Sequence, residues 1–330
     1  MRPPAFWNYE PSRFSLGSQL LRPLGWLYGR TTAKRVATEP AFKADVPVLC
    51  IGNLSAGGTG KTPTSIALIQ HLLAKGHTPH IISRGYGGSA KELTRVDERK
   101  HSAELVGDEP MLLAAFAPTW VSPNRAEAAK AAQEAGADII LMDDGFQNPT
   151  LFKDAAIIVS DAQRGFGNGR CIPAGPLREP VAPGLARGDL LLTIGDTDAQ
   201  DQFDTIWGDQ VSIPRAKAVL APLQTGMDWT ETPFLAFAGI GYPEKFFATL
   251  RSLGATILQT HALDDHQPLT SALLSRMESD AARLGAQLVT TEKDAVRLPS
   301  AYRSKVLTLP VRLEVEAWGP VDSLLERLLK

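Results

Sequence analysis

The chain has 330 residues, a formal net charge of −2, 44% hydrophobic and 21% charged residues, which is globular composition with length for two domains. No overall basic field favours nonspecific nucleic-acid binding, and no apolar run reaches the roughly 18 to 20 residues that span a bilayer. Cys50 and Cys171 lie far apart and outside any CxxC pair, which argues against disulfide scaffolds and zinc sites.

Residues 1–38 stand apart. Arg2, Arg13, Arg22, Arg30, Lys34 and Arg35 face one acid, Glu10, and Phe6, Trp7, Tyr9, Phe14, Trp26 and Tyr28 fall here too. Leu20, Leu21, Leu24 and Leu27 share one side of a helical segment that Pro23 is expected to restart or kink. This composition suits a helix lying in a membrane interface, and equally one docked on its own domain.

From 46 onward, strand and helix alternate. An apolar strand over 46–52, with Cys50 as a core thiol, leads through a Gly-rich turn into a helix over 61–75, where Ile66, Ile69, Leu72 and Leu73 recur at helical spacing before Gly76. Further strands are expected at 80–83, 138–142, 155–160 and 189–194, with helices at 109–117 and 124–135. The aperiodic polar stretch 195–214 reads as a domain junction. Strands at 234–240, 256–260, 287–290 and 306–311 then alternate with helices at 243–253 and 270–284 before a last helix at 321–329. Such alternation of continuous apolar strands with helices predicts an α/β fold of mainly parallel sheets covered on both faces. The expected division is 1–38, 39–213 and 214–330.

The Gly-rich turn reads Ser55, Ala56, Gly57, Gly58, Thr59, Gly60, Lys61, Thr62 between strand and helix. Glycines let backbone N–H groups converge on a phosphate chain, Lys61 reaches the outer phosphates, and Thr62 offers a hydroxyl to Mg²⁺. Ser55 stands where the full Walker pattern has glycine. The apolar strand ending at Asp143-Asp144 supplies carboxylates for the metal, with Asp143, Asp144 and Glu109 all candidates for the direct ligand. Arg84, Arg125 and Arg178, in Gly-rich loops after strands or at a helix start, are candidates for bidentate phosphate contacts. Asp108, before a helix, reads equally as an N-cap, and His266 as a loop histidine.

Six runs taken together resemble the tetraacyldisaccharide 4′-kinase family of the lipid A pathway of Gram-negative bacteria. They are Asn-Leu-Ser-Ala-Gly-Gly-Thr-Gly-Lys-Thr-Pro at 53–63, Ser-Arg-Gly-Tyr-Gly at 83–87 and Gly-Asp-Glu-Pro at 107–110. The others are Asp-Asp-Gly-Phe-Gln at 143–147, Gly-Pro-Leu-Arg-Glu-Pro at 175–180 and Thr-Thr-Glu-Lys-Asp at 290–294. The resemblance implies two α/β/α lobes, the first a P-loop NTPase-like domain, with the active site in the cleft. It implies transfer of the ATP γ-phosphoryl group, with Mg²⁺, to the 4′-hydroxyl of tetraacyldisaccharide 1-phosphate. It further implies a peripheral enzyme on the cytoplasmic face of the inner membrane, attached through 1–38; a monomer is expected. Carried over by motif, Asp108 is the general base, His266 orients it, Lys61 and Asp144 take part in catalysis, and Gln147, Arg178 and Glu179 join Arg84 and Arg125 as substrate-side residues. The element around His266 continues Gln267-Pro268-Leu269, where the family has an aromatic residue or a second histidine.

Two other readings come from different classes. A membrane-attached nucleotide-switch protein or metal-centre chaperone would use a base-reading element, to which Thr291-Glu292-Lys293-Asp294 comes close with its lysine one place late. A lipid-binding module without chemistry would not need Asp108. A dinucleotide oxidoreductase lacks its GxGxxG after a strand.

Overall fold

A computed structural model of the chain describes residues 3–265 and 267–330. Its larger sheet has nine strands in the order Val311–Val315, Arg215–Pro222, Leu190–Ile194, Ala155–Asp161, Val48–Gly52, Ile139–Asp143, Pro79–Ser83, Thr119–Val121 and Thr94–Arg95. The seven central strands run parallel and each edge strand pairs antiparallel. A second sheet, Ile257–Ala262, Phe234–Ala238, Gln287–Thr291 and Val306–Leu309, is parallel throughout.

Successive residues of a strand face opposite sides, so each sheet needs two covers. In the central strand, Val48 and Cys50 enter one core with Phe146, Phe166, Phe203 and Trp207, while Leu49 and Ile51 enter another with Ile66, Ile69 and Leu72 of the helix Lys61–Ala74. Burial pushes the Cys50 thiol up to about 12, in keeping with a core thiol. The small sheet has its own pair of cores, around Phe234 and Phe247 on one face and Phe237 and Met277 on the other. Two α/β/α lobes result.

Three features differ from the sequence expectations. The polar stretch 195–214 contains a helix, Thr197–Trp207, capped by Asp196 accepting from Ala199 N at 2.9 Å and anchored by buried Phe203 and Trp207. The single strand expected over 306–311 is two, Val306–Leu309 in the small sheet and Val311–Val315 in the large one, divided at Pro310. The segment 214–330 is therefore shared between lobes: 234–309 builds the small sheet, while Arg215–Pro222, Val311–Val315 and the helix Gly319–Leu328 extend the large lobe.

The helix Leu16–Val36 continues through Pro23 as one element. It docks by small residues, Ser18, Gly25, Gly29 and Thr32, which lie on one side. Ser18 Oγ donates to Ala174 O at 2.6 Å, and a Cβ on Gly25 would sit 2.7 Å from Cys171 O. The opposite side exposes Leu16, Leu20, Leu24 and Leu27, flanked by Trp26. Among the described residues no helix is long and apolar enough to cross a membrane.

Candidate active site

Ligands of parallel sheets collect beyond the carboxyl ends of the strands, and the Gly-rich turn lies there, between strand Val48–Gly52 and helix Lys61–Ala74. Gly57 (φ 108°) and Gly60 (φ 94°) adopt backbone that disfavours any side chain, and a Cβ on Gly60 would lie 2.4 Å from Ile194 Cδ1. Asn53 braces the turn, its Nδ2 donating to Thr59 Oγ1 at 3.0 Å. The 175–180 run staples it from outside: Ala56 N donates to Pro176 O and Arg178 N to Leu54 O, both at 2.7 Å. Ser55 sits in this paired stretch, in an isolated bridge with Leu177. The departure from glycine at 55 thus falls in a paired segment, where a side chain is tolerated.

Lys61 is buried with its Nζ 3.6 Å from Asp144 Oδ1. Asp144, at φ 48°, receives Arg178 in a fork, at 2.7 and 3.3 Å. Burial opposes the charge of Asp144, yet Lys61 and Arg178 hold its carboxyl below the usual carboxylate range. Asp143 shows the reverse. Burial, then Glu109 and Asp144, push it up to about 7 against Lys61 and Arg125, and its Oδ1 is buried with no hydrogen-bond partner. A buried carboxylate oxygen beside further acids and a hydroxyl on Thr62 is the donor set a hard cation takes. Among the described residues no closed cage of three or more such ligands exists. Mg²⁺ in phosphate-transfer sites is held through one or two carboxylates together with phosphates and water, and these residues fit it in that manner.

Asp108 and Glu109 open the short helix Asp108–Ala114. Their position depends on backbone packed against backbone: a Cβ on Gly107 would lie 2.8 Å from Tyr86 O, and one on Gly88 2.7 Å from Gly107 N. The Gly-rich runs 83–87 and 107–110 therefore form one unit. Asp108 is buried, and its Oδ1 accepts from Glu109 N at 3.0 Å. Glu109 acts on Asp143 electrostatically, which brings the two expected acidic groups to one cleft. Arg125 is buried at the start of helix Arg125–Glu134 and acts on Asp143 and Asp144; exposed Arg84 lies near enough to act on Arg125.

Gln147 and Glu179 are occupied by protein partners. Gln147 Nε2 donates to Asn53 O and to Glu179 Oε1, both at 2.8 Å, and buried Glu179 also receives Arg187 at 2.6 and 2.7 Å. They brace the Gly-rich turn through Asn53. His266 lies outside the described residues; its neighbour Asp265 acts on Lys293 in the cleft.

The small lobe packs against the Gly-rich turn and its neighbours. A Cβ on Gly241 would lie 3.4 Å from Gly58 N, Lys245 Nζ reaches Asp161 Oδ2 at 2.5 Å, and Arg164 lies over the Tyr242 ring at 4.5 Å. Opposite them, Lys293 Nζ is 3.2 Å from Glu109 Oε1 and Arg297 Nε 3.8 Å from Asp108 Oδ2.

The family model for tetraacyldisaccharide-1-P 4′-kinase matches residues 17–330. The chain belongs to that family. It is 57% identical over 329 residues to the tetraacyldisaccharide 4′-kinase of Jannaschia sp. (strain CCS1), covering 100% of this chain and 99% of that one. With the kinase of the same name from Dinoroseobacter shibae it shares 59% over 314 residues, covering 95% and 93%. The crystal structure of LpxK from Aquifex aeolicus in complex with ATP superposes with a TM-score of 0.76 at 26% identity, covering 95% of this chain and 99% of that one. As a member of the 4′-kinase family, the protein is an enzyme of lipid A synthesis that phosphorylates an alcohol. The switch, chaperone and chemistry-free binding readings fall with that membership. What the sequence left unassigned in this kinase is the small-lobe contribution: the 290–294 run was visible, but neither Lys293 nor Arg297 carried a sign of where it points.

Proposed function

We propose that the protein moves the γ-phosphoryl group of ATP to the 4′-hydroxyl of tetraacyldisaccharide 1-phosphate with Asp108 as general base. The observation that carries this reading is the convergence of Lys61, Asp143, Asp144, Asp108 and Glu109 at one end of the large sheet. The Gly57–Lys61 nest binds the β- and γ-phosphates, with Lys61 leaving Asp144 for the phosphate oxygens. Thr62 and Asp143, with Glu109 or Asp144, would hold Mg²⁺, which supplies neutralisation of the phosphate charge when bound. Asp108 accepts the hydroxyl proton as the sugar oxygen bonds to Pγ and the bond to the ADP oxygen breaks. His266, by the family motif, orients Asp108. Arg125 and Arg84 supply cations toward the phosphates, while Arg178 sets Asp144.

The substrate carries acyl chains, and the outward leucines of Leu16–Val36 support a helix lying on the inner-membrane surface, its arginines toward anionic headgroups. The test is transfer from γ-labelled ATP to purified lipid acceptor in mixed micelles. Asp108→Asn is expected to retain ATP binding and lose about 10²- to 10⁴-fold in transfer. Lys61→Ala should abolish labelled lipid. Unchanged transfer by Asp108→Asn removes the base assignment.

A further inference from the structure

In the run 290–294, three of five residues are consumed in building the small lobe. Thr290 Oγ1 donates to Phe237 O at 2.8 Å, joining neighbouring strands. Thr291 Oγ1 accepts from Asp294 N at 3.1 Å. Glu292 receives Arg312 at 2.8 and 2.9 Å and Val311 N at 3.1 Å, on the strand that rejoins the large sheet. Asp294, fully buried, accepts from Gly239 N at 3.1 Å on both oxygens and from Thr291 Oγ1 at 2.6 Å, and pairs with Arg297. Glu292 thus tethers the two lobes, and Lys293 reaches across into the cleft.

Asp294 is thereby the anchor of Arg297, whose Nη1 also donates to Gln267 O at 3.0 Å and Nη2 to Gly239 O at 3.2 Å. A guanidinium fixed on three sides presents its remaining Nε to Asp108 Oδ2, 3.8 Å away. Lys293 reaches Glu109 Oε1 at 3.2 Å. Two cations of one lobe face two consecutive acids of the other. Such pairs return little stability, about 0–1 kcal/mol where exposed and often nothing where buried, so fold stability gives a poor reason for both.

We propose that Lys293 and Arg297 are positioning residues for phosphoryl transfer: the docked small lobe sets the rotamers of Asp108 and Glu109. With Oδ1 of Asp108 engaged by Glu109 N, Arg297 beside Oδ2 fixes the carboxylate plane and hence the oxygen offered to the hydroxyl. The inference rests on the reading of Asp108 as base.

The test compares Lys293→Met, Lys293→Arg and Arg297→Lys, each also combined with Asp108→Asn, by kcat and KM for ATP and lipid and by melting temperature. Arg297→Lys keeps a cation for Asp294. Lys293→Met removes the cation from half-buried Glu109, and carries the test alone if Arg297→Lys melts early. Lys293→Met and Arg297→Lys are expected to lower kcat about 10- to 100-fold, the loss a misplacement of about 1 Å brings, with both KM values within about threefold. Lys293→Arg should recover most of that loss. In the Asp108→Asn background, Arg297→Lys should cost nothing more, because both act through one group. Full transfer by Asp108→Asn alone overturns the base reading. An impaired Asp108→Asn whose loss Arg297→Lys multiplies, or a Lys293→Met variant with intact kcat, overturns the positioning role and leaves the base in place.

Discussion

Replacing Leu20, Leu24 and Leu27 together by glutamine tests the membrane role of the N-terminal helix without touching its docking. These side chains are 72%, 54% and 54% exposed, on the side away from Ser18, Gly25 and Gly29. Full burial of a leucine is worth about 1.5–3 kcal/mol, so the exposed share leaves about 1–2 kcal/mol each, or about 3–5 kcal/mol for three. At about 1.4 kcal/mol per tenfold, the partition onto vesicles should fall by about two to three and a half orders of magnitude. Glutamine is as good a helix former as leucine, so the melting temperature should hold. The assay is co-sedimentation with vesicles of zwitterionic and anionic lipid at two salt concentrations. A change below about threefold would refute the argument from exposed leucine area, and would leave any binding to Arg13, Arg22, Arg30, Lys34 and Arg35 together with the untouched Phe14, Leu16 and Trp26.

Other expectations follow from single distances or charges. Gly25→Val places a branched side chain where a Cβ already lies 2.7 Å from Cys171 O, so differential scanning should show about 1–3 kcal/mol of destabilisation, or the helix should become protease-sensitive. Gly60→Ala combines left-handed backbone, costing about 1–2 kcal/mol, with the overlap on Ile194; nucleotide binding by calorimetry should weaken at least tenfold. Asp143, with its pKa raised by burial to about 7, keeps a proton that the unfolded chain has released between the ordinary carboxylate range and neutrality. Stability therefore falls as pH rises through that window, and Asp143→Asn should raise the melting temperature more at pH 8 than at pH 5; an equal rise at both would rule out the linkage.

The Gly-rich turn was legible because its signal is local: glycines, Lys61 and Thr62 lie within one turn, and Asp143 ends an unmistakable apolar strand. The helix Thr197–Trp207 was not, because Phe203 and Trp207 carry most of its apolar burial and its buried Gln200 is polar, bonded to Thr193. Strand Arg215–Pro222 begins with Arg215 and Lys217 alternating with alanines, a weak signal for a strand inside a sheet. The docking face of Leu16–Val36 is made of serine, glycine and threonine, so the apolar pattern pointed to the exposed side and left the docked one silent. For Lys293 and Glu109, 184 positions separate the partners, and only the folded chain joins them.

The passage at Pro310 has a consequence for biosynthesis. The small sheet is complete once Val306–Leu309 has been made, whereas Arg215–Pro222, made long before, still lacks its neighbour Val311–Val315. Until that neighbour emerges, a nascent polypeptide carries an open strand edge on the lobe that holds the phosphate nest, a template on which a second chain can pair. The lobe begun first is finished last, and premature termination near residue 310 yields an aggregation-prone product with every nest residue already in place.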